Sequence, residues 1–153
     1  MSGRAKPRED FHLTDRELET VALAAEGLKV NAIARRLKLS DGAVQSRLKF
    51  ARAKCGSART TALVHSAYAS KQLPAPDAEP PVELSEEQLR VLRHLADGLT
   101  VIDMRPLVAW SEWRLRNIYG GDLLAALDAT DRPAFAIKRA WAMGHLGHEQ
   151  QTT

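Results

Sequence analysis

A chain of 153 residues is long enough for one ordinary domain or two small ones, and its 44% hydrophobic content is enough to build a core. No run of 18 apolar residues offers a membrane span, the N-terminus carries no apolar signal segment, and the single Cys55 cannot form an internal disulfide. The net charge of +3 is unevenly divided, with 14 Lys and Arg against 7 Asp and Glu in residues 1–71 and 8 against 12 in residues 72–153. Only the first half therefore has the electrostatic footprint of a polyanion binder. A lone cysteine fits a reducing cytoplasm, the expected location.

Residues 1–12 are polar and basic (Arg4, Lys6, Arg8) and are expected to form a flexible arm. Thr14 opens a helix as its cap, with Glu17 completing a capping box and Leu13 placed for a hydrophobic staple. Leu18, Val21, Ala22 and Ala25 recur at helical spacing until Gly27 ends the run. A second helix is predicted over 30–37, with Ile33, Ala34 and Leu37 as its apolar stripe. Ser40 caps a third, from 41 to about 54, whose Val44, Leu48 and Ala51 face inward. After Gly56-Ser57, a fourth over 59–72 carries Ala62, Leu63, Val64 and Ala67.

Pro74, Pro76, Pro80 and Pro81 then mark a semi-rigid spacer. Beyond it the pattern returns. Ser85 caps a helix with Gln88 at the box position, Leu89, Leu92 and Leu95 follow, and Gly98 closes it. Thr100 or Asp103 caps the next, Pro106 suiting the first turn in the second case. Ser111 caps a third helix starting at Glu112, and the last, from about 133 to 143, offers Phe135, Ile137, Ala140 and Trp141. An offset of 71 pairs Leu13-Thr14 with Leu84-Ser85, Gly27-Leu28 with Gly98-Leu99, Leu37 with Val108 and Ser40 with Ser111, and an offset of 73 pairs Arg59 with Arg132. The expectation is an all-α fold of tandem four-helix helix-turn-helix units. Its parts are an arm (1–12), a first unit (13–73), a proline-rich linker (74–83), a second unit (84–146) and a tail (147–153).

Leu13-Thr14, Arg16-Glu17, Gly27, Ile33-Ala34, Leu37, Leu39 and Ser40 form one set of markers in the first unit. Ala43-Val44-Gln45-Ser46-Arg47, Lys54-Cys55-Gly56, Arg59, Ala62, Leu63 and Ala67 continue it. Together they resemble the LuxR/FixJ-type helix-turn-helix domain, whose recognition helix usually reads Thr-Val-Lys-x-His. Lys29-Val30-Asn31-Ala32 stands where that family has Ser-Asn-Lys-Glu, so the second helix lacks its usual cap. The second unit is a degenerate relative, recognisable through the first at Met104-Arg105, Val108, Trp110, Ser111 and Leu115. The resemblance implies a sequence-specific transcription regulator bound to double-stranded DNA. It also implies pairing through fourth helices, where Leu63, Ala67 and Tyr68 form a seam that joins either two chains as a homodimer or the two copies within one chain.

In a recognition helix the N-terminal side chains meet base edges. Gln45 suits adenine and Arg47 or Lys49 guanine, with Ser40, Ser46 and Arg52 alongside. Lys29, Arg35, Arg36 and Lys38 around the second helix are candidate phosphate contacts. Residues 41–54 sum to +3 and residues 112–125 to zero. Arg114, Arg116 and Asn117 are the candidates if 112–119 is a second reading helix. The charge split equally motivates an adaptor, with DNA on the first unit and RNA polymerase or a partner regulator on the second. A third reading is a DNA-binding accessory protein for plasmid, phage or chromosome maintenance. No nucleophile–base pair or metal-ligand spacing is present, so neither an enzyme nor a cofactor is expected. The three tryptophans read as core filler, Trp113 marking a protein-binding patch if exposed. Phosphorylation or a small-ligand signal has no visible home in the sequence.

Overall fold

The computed structural model describes residues 11–147, and every regular element among them is helical. The expected basic arm around Arg4, Lys6 and Arg8, and the tail from residue 148 on, lie outside the described residues. The helices are α1 (Asp15–Ala25), α2 (Val30–Leu37), α3 (Asp41–Cys55), α4 (Thr60–Ala69), α5 (Glu86–Ala96), α6 (Val101–Met104), α7 (Glu112–Arg116) and α8 (Pro133–Ala142).

Side-chain caps fix most of the starts. Thr14 Oγ1 accepts from the Glu17 N–H at 3.1 Å while the Glu17 carboxylate accepts from the Thr14 N–H at 2.9 Å, and Ser85 and Gln88 repeat the reciprocal pair at 3.1 and 2.7 Å. Ser40 and Ser111 accept from Ala43 and Arg114, both at 3.1 Å. Thr100, not Asp103, caps α6, with Asp103 closing a third capping box. α6 then stops after one turn, because Pro106 has no N–H to offer the Ile102 carbonyl, and the chain tightens into a 3-10 turn over Arg105–Leu107. α7 widens into a π-helical stretch, Asn117–Leu124, that includes Gly120-Gly121. α4 is shorter than the expected 59–72: it ends at Ala69, and Lys71 already stands at φ 65°.

In the first half α1, α3 and α4 pack on one another and α2 lies across α3. In the second half α5 packs on the π-helical stretch. The halves share one continuous core, in which Val21, Leu63, Leu92, Leu115 and Ile137 are fully buried. α4 lies on α8, α1 also touches α8, and α5 touches α4. Gly27 (φ 89°) holds its α-carbon against Arg132 and Phe135, where an added β-carbon would come within 2.8 and 3.3 Å. Gly98 (φ 88°) sits against Ala62 and Ser57, where an added β-carbon would come within 3.1 and 3.2 Å. Leu63, Ala67 and Tyr68 are buried on α4, and α4 packs on α8 within one chain. Tyr68 and Trp141 meet there with ring centroids 5.7 Å apart, and the Trp141 indole N–H donates to His65 Nδ1 at 3.0 Å. Burial, together with the charge of Glu26, pushes the Tyr68 phenol up to about 12.

The proline-rich stretch is strapped along α8. The Glu79 N–H donates to the Ala142 carbonyl at 2.9 Å, Arg139 Nη1 pairs with the Glu79 carboxylate, and the His145 ring lies 2.8 Å from the Val82 carbonyl. A core shared this way should unfold as one unit. All three tryptophans lie beyond residue 84, and Trp141 meets Tyr68 and His65 of α4, so their fluorescence reports on the second half and on its contact with the first. Leu63→Ala, a change in the first half, is expected to remove about 3 kcal/mol and to shift the tryptophan-fluorescence and circular-dichroism transitions in urea together. Two separated transitions would show that the halves fold independently.

Candidate nucleic-acid interface

α2, a tight turn and α3 form the helix-turn-helix of the first half. The turn is made by Lys38, a non-glycine residue in the left-handed region (φ 59°), whose N–H reaches back to α2, and Leu39 follows with its N–H on the Ala34 carbonyl at 2.9 Å. Ser40 then caps α3. Val44, Leu48, Ala51 and Cys55 are buried in the core, and burial raises the Cys55 thiol pKa. That stripe turns Gln45, Ser46 and Lys49 to the exposed side, with Arg47 half-buried beside them.

Lys29, Arg35, Arg36 and Lys38 are all exposed around α2. No side chain caps α2, and its Ala32 and Ile33 N–H groups donate to the Lys29 carbonyl at 2.9 and 3.0 Å. Among the described residues Lys29, Arg35, Arg36, Lys38, Arg47 and Lys49 form no ion pair. Arg52 is half-buried and reaches Thr60 Oγ1 at 3.5 Å, which turns it toward α4.

The candidates of the second half are differently placed. Arg114 reaches both Glu87 oxygens at 2.6 Å, and Arg105 and Arg116 each bond Glu112 at 2.9 Å. The hydrogen bond and charge of Arg116, with Arg105 adding to them, hold the Glu112 carboxyl below its usual value. Asn117 Nδ2 donates to the Trp113 carbonyl at 2.8 Å. Trp113 itself is 76% exposed and Ile102 72%.

Three features escape the sequence. Lys54, one of the cations counted on the third helix, pairs at 2.7 Å with Glu17, only 8% exposed, and no local pattern links positions 37 residues apart. Gln72 accepts the Leu13 N–H at 2.7 Å and donates to the Phe11 carbonyl at 3.0 Å, tying the lead into α1 to the end of the first half. Phe50 is 62% exposed on α3. Its position off the Val44/Leu48/Ala51/Cys55 stripe was the available signal.

The fold and this cationic surface define a helix-turn-helix of the nucleic-acid-binding class. The family model described as "Bacterial regulatory proteins, luxR family" (GerE) matches residues 12–67, so a LuxR-family helix-turn-helix domain occupies that segment. This is a DNA-binding regulatory domain and not an enzyme family, and it suggests a transcription regulator that binds double-stranded DNA. No curated protein and no solved structure matches the chain. No helix among the described residues is long and apolar enough to cross a membrane.

The Glu17–Lys54 pair holds α1 against the far end of α3. Burial works against the Glu17 charge, but the Lys54 ammonium and the Thr14 N–H and hydroxyl outweigh it, so the carboxyl titrates below its ordinary 4.5. A depressed folded-state pKa means stabilisation that is complete above the unfolded value and lost as pH falls through the folded one. Glu17→Gln keeps a capping box like that of Gln88 and removes the charge. With Lys54 partly exposed to screening solvent, it is expected to lower stability by about 1 kcal/mol at neutral pH. The difference between the two proteins should close below pH 4.5 in urea titrations.

Proposed function

We propose that this protein is a sequence-specific, double-stranded DNA-binding transcription regulator that reads with α3, and that residues 84–146 are a degenerate copy of the first unit (13–73). The observation that carries the reading is a contrast between the two halves. Among the described residues the cations of α2 and the exposed face of α3 have no carboxylate partners, while Arg105, Arg114 and Arg116 are all engaged by Glu87 or Glu112. A phosphate approaching the second set must displace a carboxylate before it gains a contact, whereas the first set is ready. Lys29, Arg35, Arg36 and Lys38 would position the duplex, and Gln45, Ser46, Arg47 and Lys49 would meet base edges. The α4 face that would pair two chains is covered by α8, which supports reading by a single chain rather than by a homodimer joined there.

A second reading of residues 84–146 is favoured by one observation. Trp113, Ile102 and Leu107 are exposed apolar residues at positions that correspond to Gly42, Asn31 and Arg36 of the first half. An adaptor that holds DNA with α3 and offers these residues to RNA polymerase or a partner regulator accounts for both surfaces. No particular feature favours an accessory role in plasmid, phage or chromosome maintenance.

Fluorescence anisotropy on a duplex selected from a random pool separates reader from bystander. Arg47→Ala with Lys49→Ala is expected to weaken binding by roughly tenfold or more and to make the salt dependence shallower. Arg114→Ala with Arg116→Ala is expected to leave affinity within about twofold, as for residues outside the contact surface. Unchanged affinity in the first variant would remove α3 as the reading helix. A large loss in the second would make 112–119 a second one.

A further inference from the structure

An open cleft of about 670 Å³ runs between the two halves and shares only Lys29 with the residues proposed to contact DNA. Its walls are apolar, with Leu28 and Val30 from the first half facing Leu99 and Val101 from the second. These four pair at the offset of 71 in sequence, so corresponding positions of the two halves line the cleft. Its rim is cationic. Lys29, Arg59, Arg116 and Arg132 line it against one acid, Asp131. Arg116 is held by Glu112, but Lys29, Arg59 and Arg132 form no ion pair among the described residues. The Arg132 guanidinium lies 4.6 Å over the Phe135 ring, which holds the charge beside the apolar wall. Thr60 and Thr61 also line the cleft, at the start of α4.

A volume of this size at an interface, mostly apolar with a few convergent polar groups, matches the usual make-up of a small-molecule site. The apolar walls give a phosphodiester backbone nothing to bury, and the cationic rim repels the chain's own basic segment around Arg4, Lys6 and Arg8. We propose that this cleft binds a small amphipathic anion: an apolar chain or ring of roughly 8–12 carbons, sized to such a pocket, that carries one carboxylate. The apolar body lies between the Leu28/Val30 and Leu99/Val101 walls, and the carboxylate meets Arg59 or Arg132. The occupant touches the starts of α2 and α4 together with the second half, so it bears on how the two halves are held.

The test is calorimetric titration of the full chain, without DNA, with octanoate and with 1-octanol as its uncharged counterpart. Failure here therefore leaves the DNA reading untouched. Saturable one-to-one octanoate binding is expected, with octanol at least tenfold weaker. Arg59→Gln with Arg132→Gln should weaken octanoate at least tenfold and leave octanol unchanged. Val30→Trp, or its counterpart Val101→Trp, should fill the cleft and abolish binding of both, with circular dichroism confirming that at least one of the two folds. Three results would each overturn the proposal: no saturable binding below about 1 mM octanoate, a weak-affinity limit; equal affinity for the alcohol; or octanoate binding that survives both the arginine and the tryptophan variants.

Discussion

α4 has almost no face suited to water. Of its ten residues, Thr61, Ala62, Leu63, Val64, Ser66, Ala67 and Tyr68 are buried, and a helix apolar on every side must be covered on every side. α1 and α3 cover part of it, and α8 and α5 cover the rest. α8 answers with Ala136, Ile137 and Ala140, and the small residues on both helices allow a close approach. Tyr68 and Trp141 meet across the seam with their rings tilted by 45°. Once α4 and α8 bury each other, the halves become one body, and α3 is left with its Gln45, Ser46 and Lys49 side open to solvent.

On this shared frame the two halves carry opposite surfaces. Exposed ion pairs such as Arg114–Glu87 and Arg116–Glu112 contribute little to stability, commonly under about 1 kcal/mol, so fold maintenance does not account for the cluster. Its larger effect is electrostatic: it neutralises the positions that would otherwise attract phosphate. In the first half the Lys54–Glu17 pair sits at the far end of α3, and among the described residues it leaves Arg47 and Lys49 without an ion pair. The basic first half thus presents an open cationic surface, and the more acidic second half a self-paired one.

Much of the helical framework was legible because it is written locally. Thr14, Ser40, Ser85 and Ser111 each place a side-chain oxygen three residues before the N–H that it accepts from, and an apolar stripe follows each. α2 could be bounded because Lys29 and Lys38 fall outside the Ile33/Ala34/Leu37 stripe. Pro106 was visible, yet the one-turn length of α6 depended on Thr100 rather than Asp103 taking the cap. The π-helical stretch after α7 had only Gly120-Gly121 as a hint. The candidate site was legible as a set of cations and polar residues on one helix, but not as a set of partners. A charge count credited Lys54 to the interface although Glu17 holds it, and scored 112–125 as merely neutral although Glu87, outside that window, holds Arg114. The cleft had no linear signal at all, since each half supplies one wall.

If α3 alone reads DNA, the duplex meets α3 and leaves 112–119 untouched. Backbone amide chemical-shift mapping of the full chain, titrated with a selected duplex, tests this most directly. The predicted result is a set of large shifts in residues 29–49, with the amides of residues 112–119 essentially unmoved. Shifts of comparable size in both segments would contradict it, and would mean that the arginine–carboxylate pairs of the second half open when DNA binds.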